Sequence, residues 1–470
     1  MLLAVALMGC VGVTCISRRA REVAFFLMTA LAVVSDRFDV NFFSRWWYRG
    51  STRGVEISFI DVIALSVFIS AFLFPKPGFS RWRWPASLGF MLLFFLYAFG
   101  STLVIEPRLF GLFEISKMVR GLIFFLAAAM FVRSEREVGL LVLALCCAVC
   151  LEGALALKQR VVDHLGRSAG TLDHANSLSM YVCLVAPVFV AAINSTLPRL
   201  LRWFSAVALA AASFAIVSTV SRAGIPIFLL VVLGTTAWCI RWQLTFQKVA
   251  TVAVVAVGVI VVGVKFSDDL KERYFGSSLA EEYLDEKTID SRGYYLRLAR
   301  LMIEEQFFGV GLNNWSYAVS KTYGKQLNTP YSNYDDIPAD FNEEEDLPMS
   351  FAAPAHNLCA LTVGELGVPG LAVFLLMWLR WFQMAVVFLW RRKRTTMHLL
   401  GIGLGFGMAG VFLQSITEWI YRQTPIYLTL HTMIGALASL YALRRSDNPK
   451  PVKDAPVEEA EYELVEASAD

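Results

Sequence analysis

The chain of 470 residues could hold about three soluble domains by length alone, but its composition excludes that organisation. Hydrophobic residues make up 57% of the chain, charged residues make up 17%, and the mean hydropathy is +0.56; soluble proteins have about 45–50% apolar and about 25% charged residues. These values exclude a soluble enzyme, a disordered chain and a secreted disulfide scaffold, and a net charge of +3 is too small to indicate nucleic-acid binding. The sequence therefore predicts an all-α, polytopic bundle of transmembrane helices.

Apolar runs follow one another along most of the chain, and a membrane span needs roughly 20 apolar residues. We predict about thirteen helices, at residues 2–17, 23–35, 57–75, 86–105, 109–132, 138–157, 177–195, 203–219, 223–240, 248–265, 356–389, 399–416 and 425–443. The first two runs are short and could instead form a re-entrant pair. The eight cysteines lie in or beside these runs without metal-type spacing, which predicts packing residues.

The distribution of charge divides the chain into four regions. We expect N-terminal transmembrane helices at 1–265, a large loop at 266–355, C-terminal transmembrane helices at 356–445 and a disordered acidic tail at 446–470. Lys and Arg cluster in alternate short loops, which predicts that those loops are cytoplasmic. The other loops, including the large one, are then outside. The predicted outer loop 36–55 is an exception, because it contains four arginines.

The large loop contains one segment with helical spacing. Apolar side chains recur at Tyr295, Leu298 and Met302 and again at Leu296, Ala299 and Ile303, which predicts an amphipathic helix at the membrane surface. Asp290 or Ser291 can cap its start. A glycine turn follows at 308–311, and the acidic run 335–346 predicts a solvated loop more strongly than a cation site.

Arg222 stands between two long apolar runs with almost no loop around it. An arginine at membrane depth costs roughly 2.5–3.5 kcal/mol, so it is a functional candidate until a partner is known. Two hypotheses remain open. The side chain reaches lipid headgroups from a turn, or it binds an anion.

Arg292 lies within the large loop, and His356 directly follows it. Arg292 lies in the first turn of the predicted helix, where a cation is unfavourable for the helix dipole and a bound ligand would explain it. It lies off the stripe formed by Arg297, Arg300 and Glu304. His356 precedes the next apolar run, where imidazole can accept a proton near neutral pH; helix capping by Asn357 would instead leave His356 incidental.

A third set of charges shares one predicted helix. Glu114, Lys117 and Arg120 recur at intervals of three residues. They could form an internal ion-pair set that faces the bundle interior, or a polar wall of a substrate cavity. The sequence does not choose between these two hypotheses.

Four segments, in this order, make the chain resemble the O-antigen ligase / O-antigen polymerase superfamily of bacterial inner-membrane glycosyltransferases. Residues 166–178 are similar to the family's R-x-x-G-T … N-x-L-A loop, and Ser221-Arg222 is similar to its SR junction. Arg292 with the glycine turn 308–311 resembles an R … P-x-x-G-x-G segment, although the proline is missing. Segments 355–358 and 364–371 resemble its H-N … E-x-G-x-x-G element. The resemblance covers about residues 160–380.

The resemblance implies a GT-C-like helix bundle and an activity. Such enzymes transfer a glycan from an undecaprenyl-pyrophosphate carrier to an acceptor hydroxyl of lipid A-core, another glycan or a protein. Arg222 and Arg292 would bind the pyrophosphate, with Arg297 as the alternative to Arg292, and His356 would be the general base. Transfer would be inverting and would require no metal or other cofactor. Candidate substrate-cavity residues are Arg167, Asn357, Glu114, Lys117 and Arg120.

Ligase and polymerase share these motifs and differ in the acceptor, so both remain open; the single large loop near the C-terminal helices fits the ligase slightly better. In either case we expect a multi-pass protein of the bacterial inner membrane, in contact with membrane lipids, whose active site faces the periplasm. A transporter or flippase for a lipid-linked or anionic solute is the alternative from another class. A structural assembly subunit is the third hypothesis.

Overall fold

The structure is a computed structural model that describes residues 2–76, 82, 84–240, 291–337, 350–390 and 394–446. The predicted helix at 248–265 lies outside the described residues. So do the start of the large loop, most of the acidic run 335–346 and all but the first residue of the predicted tail.

Twelve of the predicted apolar runs are helices. They are α1 (Leu2–Ile16), α2 (Arg18–Leu31), α3 (Phe59–Leu73), α4 (Leu88–Val104), α5 (Arg108–Phe131), α6 (Glu135–Val161), α7 (Ala175–Ile193), α8 (Arg199–Ser218), α9 (Gly224–Cys239), α13 (Leu358–Trp390), α14 (Thr396–Gln414) and α15 (Thr424–Ser446). Between α9 and α13 lie α10 (Arg292–Glu305), α11 (Trp315–Ala318), a π-helical turn (Val319–Tyr323) and α12 (Gly324–Gln326). The predicted all-α polytopic bundle is confirmed.

Six of these helices are long and apolar enough to cross a membrane, namely α6, α7, α8, α13, α14 and α15. Shorter apolar helices add α3, α4 and α9 and most of α1. Local sequence sets several starts. Ser58 and Asp61 form a capping box at α3, and Thr395 accepts from the backbone N–H of His398 at the start of α14. The starts of α3 and α14 therefore lie next to polar capping residues that precede apolar runs.

Helix α7 lies at the centre of the bundle and packs along α14. Almost all of its side chains are buried, and the facing side of α14 carries glycines. A Cβ at Gly407 would lie 2.0 Å from the carbonyl oxygen of Leu184, and one at Gly403 would lie 2.8 Å from that of Pro187. Small residues let helices approach closely in membranes, so these glycines set the contact between α7 and α14.

The predicted loop 36–55 contains most of a small β-hairpin that the apolar pattern did not predict. Strands β1 (Asp39–Ser44) and β2 (Gly54–Ser58) pair antiparallel, with an irregularity between Asn41 and Phe43. Stacking between the rings of Tyr48 and Phe110, at 3.7 Å between centroids, fixes the hairpin against the first turn of α5. The hairpin caps one end of the bundle and does not alter the fold class.

Helix α10 confirms the predicted amphipathic helix, with one correction. Ser291 caps it by accepting from the backbone N–H of Tyr294 at 3.1 Å, and Tyr295, Leu298 and Met302 are buried as predicted. Leu296, predicted to be on an apolar face, is 51% exposed. The correction has a simple cause, because the buried face includes Tyr294 and turns Leu296 outward.

Successive helices alternate in direction from α1 to α9 and again from α13 to α15, so the described connections gather at two ends of the bundle. We call the end that carries His356 the His356 end; it includes the starts of α7, α13 and α15 and the ends of α6, α8 and α14. The other end, with the starts of α2, α6 and α14, is called the opposite end. The candidate residues for chemistry lie mainly at the His356 end.

Candidate functional site at the His356 end of the bundle

His356 lies just before α13 and contacts a carboxylate from a distant part of the chain. Its Nδ1 is 2.7 Å from Oε2 of Glu418, which lies in the turn between α14 and α15. The Glu418 side chain is 4% exposed and that of His356 is 36% exposed. The carboxylate is therefore embedded in the protein while the imidazole reaches the surface. Such a pairing orients a histidine and leaves Nε2 for another partner.

Arg292 binds the same carboxylate. Its Nη2 donates to Oε1 of Glu418 at 3.0 Å, and its side chain is 18% exposed. Ser291 caps α10 directly before this residue, so the helix start aims Arg292 at the turn that holds Glu418. One carboxylate thus joins the candidate base to a candidate phosphate ligand.

Asn176 and Arg167 extend the same group of hydrogen bonds. Nδ2 of Asn176 donates to Oε1 of Glu418 at 2.8 Å, and Nη2 of Arg167 donates to Oδ1 of Asn176 at 2.8 Å. Nε of Arg167 donates to the carbonyl oxygen of Thr219 at 2.8 Å. The loop before α7 is therefore tied both to Glu418 and to the turn after α8.

Arg222 lies in that turn, between α8 and α9. It is 8% exposed, and Val220 in the same turn has a φ of +49°. Gly224 donates its backbone N–H to Oγ of Ser221 at 3.3 Å, which closes the turn at the start of α9. Because Arg222 is buried, the hypothesis that it reaches lipid headgroups becomes weaker. Arg167 links its turn to Asn176 and so to Glu418.

We define the outer site as His356, Glu418, Arg292, Asn176 and Arg167, which these hydrogen bonds join, together with Arg222, whose turn Arg167 contacts. This set of described residues contains three guanidinium groups and one carboxylate, and guanidinium is a group that binds phosphate well. Sequence reasoning missed Glu418. The sequence did contain a signal for Glu418. The loop at 417–424, between the predicted helices 399–416 and 425–443, has two charged residues, Glu418 and Arg422. Both meet the criterion of ionisable groups at the membrane boundary that selected Arg222.

Two further candidates have structural surroundings of their own. Asn357 caps α13, since Oδ1 accepts from the backbone N–H of Ala360 at 2.9 Å and Nδ2 donates to the carbonyl oxygen of Ile416 at 2.8 Å. Arg297 is exposed on α10, whereas Arg292 reaches Glu418. Of the two arginines, Arg292 is the one that lies in the outer site.

Glu114 and Lys117 form a buried ion pair at 2.8 Å beneath the outer site. Nζ of Lys117 also donates to Oγ1 of Thr52 and to the carbonyl oxygen of Arg422, each at 2.7 Å. Nη1 of Arg422 lies 2.6 Å from Oε2 of Glu365. We call Glu114, Lys117, Glu365 and Arg422 the buried ionic cluster. It fixes the turn that carries Glu418, because Arg422 belongs to the same turn.

Ion pairing raises the pKa of Arg422 in this cluster. Burial acts to lower the pKa of Arg422, but the carboxylates of Glu365 and Glu114 outweigh that effect and hold its pKa above the ordinary value. Arg120 belongs to a separate pair of contacts, with Asp39 at 2.8 Å and with Asp61 at 3.0 Å. Thus Glu114 and Lys117 pair with each other, while Arg120 ties α5 to the hairpin and to α3.

The glycine turn at 308–311 packs against the glycine-containing segment 364–371 of α13. Gly309 has a φ of +79° and Gly311 a φ of +99°, which favours glycine. The backbone N–H of Gly311 donates to the carbonyl oxygen of Glu365 at 2.8 Å, and a Cβ at Gly309 would lie 2.5 Å from that oxygen. The glycine turn therefore locks the segment after α10 onto α13, beside the buried ionic cluster.

The fold and the outer site are those of a multi-pass helical membrane protein with a cluster of charged residues at one end of its bundle.

Comparison with known protein families adds a family to this structural class. Residues 206–375 match the profile of the family described as O-antigen ligase, and this match supports the predicted resemblance to the O-antigen ligase / O-antigen polymerase superfamily. The match includes Arg222, Arg292 and His356. No curated protein matches the chain.

At the level of the family, the match supports glycan transfer of the ligase or polymerase type, with a lipid-linked glycan and an acceptor as substrates. The matched segment covers a little over a third of the chain. Asn176, Arg167 and Glu418 lie outside it. The contacts of these residues with Arg292 and His356 come from the structure alone.

Proposed function

We propose that the protein transfers a glycan from an undecaprenyl-pyrophosphate carrier to an acceptor hydroxyl, as an O-antigen ligase does. The observation that carries this proposal is the carboxylate of Glu418 between Nδ1 of His356 and Nη2 of Arg292. In this proposal, Glu418 links the general base, His356, to a phosphate ligand, Arg292. Transfer from a glycosyl pyrophosphate requires both, since the acceptor loses a proton while the leaving group gains negative charge.

The reaction is a single displacement with inversion at the anomeric carbon. The acceptor oxygen forms the new bond to that carbon, and the bond from the carbon to the pyrophosphate oxygen breaks. The proton of the hydroxyl passes to Nε2 of His356, and the bonding electron pair leaves with the pyrophosphate. Glu418 accepts from Nδ1–H, which keeps the lone pair of the imidazole on Nε2. Glu418 thereby acts as a positioning residue.

Arg222 and Arg292 bind the pyrophosphate in this proposal. A charge-assisted hydrogen bond contributes about 1.5–3 kcal/mol, and a guanidinium can bind phosphate through two N–H groups. Arg292 uses Nη2 for Glu418, and a guanidinium carries five N–H donors in all. The arginines supply the positive charge that the leaving group requires, so we propose that the reaction does not need a metal.

The location follows from the same chemistry and the distribution of charge. We infer that the protein lies in the bacterial inner membrane with the His356 end toward the periplasm, because the basic loops are at the opposite end. A lipid-linked donor has its pyrophosphate at the boundary of membrane and water. The acceptor in this proposal is lipid A-core, with a protein or another glycan as alternatives.

In-vitro transfer with purified protein tests the proposal. The assay would combine a carrier-linked glycan with lipid A-core, with a second carrier-linked glycan or with buffer alone. A product on lipid A-core supports the ligase, and elongation of the carrier-linked glycan supports the polymerase. Uptake of solute into proteoliposomes without glycan transfer would favour a transporter. Transfer that needs neither His356 nor Arg222 would overturn the mechanism.

A further inference from the structure

A cavity of about 220 Å³ lies at the opposite end, between α1, α2, α3, α5 and α6. This volume is far more than the roughly 10–15 Å³ that one water molecule needs. Its charged lining residues are Arg18, Arg21, Lys76, Arg133 and Glu137. The glycan-transfer site at the other end of the bundle does not use these residues. The proposed glycan transfer therefore gives this cavity no role.

Arg21 forms part of the cavity wall in a fixed position. Its Nη1 donates to the carbonyl oxygen of Phe74 at 2.8 Å, and its Nε donates to that of Thr14 at 3.3 Å. These bonds join the end of α1, the start of α2 and the residue after α3. They use two N–H groups of the guanidinium, which has further donors to offer a ligand.

Two carboxylates pair with cations at or beside the cavity. Glu137 pairs with Lys76, and Glu22, beside the cavity, pairs with Arg18 at 3.5 Å and with Arg136 at 2.5 Å. Arg21 and Arg133 also line the cavity. The described lining of the cavity thus contains four cations, Arg18, Arg21, Lys76 and Arg133, and one carboxylate, Glu137. A concave space with such an excess of positive charge attracts an anion.

The apolar part of the lining indicates what kind of anion fits. Ile16, Ala71, Phe74, Met130 and Phe131 lie beside the cations. Basic pockets between transmembrane helices bind the phosphate headgroups of anionic lipids, and a guanidinium matches the geometry of phosphate. We propose that this cavity binds a phosphate group, carried either by a membrane phospholipid or by a soluble phosphate compound.

The test uses the full-length protein, purified in uncharged detergent and stripped of lipid. Phosphatidylglycerol and inorganic phosphate are the two probes, and saturable binding of each is measured by calorimetry. Arg18→Gln and Arg133→Gln remove two cavity cations, and each is expected to weaken binding about ten-fold. Arg19→Gln is the matched control, because Arg19 is the exposed neighbour of Arg18 and does not line the cavity. Arg19→Gln is expected to bind like the wild type.

The two probes distinguish the sources of phosphate. Saturable binding of phosphatidylglycerol that depends on Arg18 and Arg133 assigns the site to a lipid headgroup. Binding of inorganic phosphate with the same dependence, without lipid binding, assigns it to a soluble compound. The proposal is overturned if neither probe binds saturably, or if Arg19→Gln weakens binding as much as the two cavity variants. Unfolding temperatures of all variants, measured without ligand, show whether they fold.

Discussion

At the scale of single residues, the outer site depends on Glu418, which contacts His356, Arg292 and Asn176. The sequence could predict His356 because it precedes an apolar run, and Arg292 because it is a cation in the first turn of a predicted helix. It could not predict that they share a carboxylate, because Glu418 lies 62 residues after His356 and 126 after Arg292. Only the packing of α10, α13 and the turn after α14 brings them together.

Replacing Glu418 by Gln keeps the size of the side chain and removes its charge. The imidazole loses the negatively charged acceptor of its Nδ1–H, and Arg292 loses its ion pair. We expect kcat for glycan transfer to fall about 10–100-fold, since proton transfer by a positioned base is worth about 10²–10⁴-fold in total. Steady-state kinetics with a saturating donor measure the change. Wild-type kcat in this variant would remove Glu418 from the mechanism.

Arg292→Gln tests the proposed phosphate ligand on α10. Loss of a charge-assisted hydrogen bond of about 1.5–3 kcal/mol predicts that donor affinity falls about 10–150-fold. Arg300→Gln is the matched control on the same helix, since its pair with Glu304 is 80% and 56% exposed. Donor binding is measured with the purified variants. Equal loss in both variants would assign the effect to the charge of α10 as a whole.

At the scale of elements, the turn between α14 and α15 connects the outer site to the buried ionic cluster. Glu418 faces the site, and Arg422, four residues later, binds Glu365 of α13. Lys117 of α5 donates to the carbonyl oxygen of Arg422. Helices α5 and α13 therefore fix the position of the turn that carries Glu418. The sequence predicted these helices, but the pairing of their buried charges depends on distances that only the fold sets.

Breaking the pair of Arg422 and Glu365 tests this connection. Arg422→Leu leaves the carboxylate of Glu365 buried without its ion-pair partner, and removal of one member of a buried pair costs about 3–5 kcal/mol. We expect lower thermal stability and little glycan transfer. The double variant Arg422→Leu/Glu365→Leu should recover part of the stability, because no unpaired charge remains from this pair. Equal or greater destabilisation in the double variant would contradict the account.

The glycine turn gives a second test at this scale. Gly309→Ala forces a side chain into a backbone with a φ of +79° and toward the carbonyl oxygen of Glu365. We expect a loss of about 1–3 kcal/mol and a lower unfolding temperature. Gly166→Ala is the control, because a Cβ there would contact nothing within 4 Å. An unchanged unfolding temperature for Gly309→Ala would show that the turn can move away from α13.

At the scale of the whole molecule, the apolar runs predicted the helices well, because spans require long uninterrupted apolar segments. The twelve described runs are helices with ends near the predicted ones. The hairpin of β1 and β2 was missed, since its short strands alternate weakly and depend on packing against α5. For the outer site, the sequence indicated polar candidates such as His356, Arg222 and Arg292. It did not indicate Glu418 or the partners of the buried charged residues.

The proposed orientation is testable on the intact protein. Lys325→Cys lies in α12 in the large loop, and Arg19→Cys lies at the opposite end; both positions are exposed. In a background without the eight native cysteines, a membrane-impermeant maleimide added to spheroplasts should label Lys325→Cys and not Arg19→Cys. The reverse pattern would place the outer site in the cytoplasm and exclude a periplasmic acceptor.

The central claim is that His356 is the base in glycan transfer. Its most direct test is the single-turnover rate of His356→Gln with the carrier-linked donor bound at saturation and lipid A-core as acceptor. His164→Asn serves as the control, since His164 is exposed and has a φ of +52°, which Asn tolerates. The account predicts that His356→Gln binds the donor normally and transfers about 10²–10⁴-fold more slowly, while His164→Asn matches the wild type. A wild-type transfer rate in His356→Gln would contradict it.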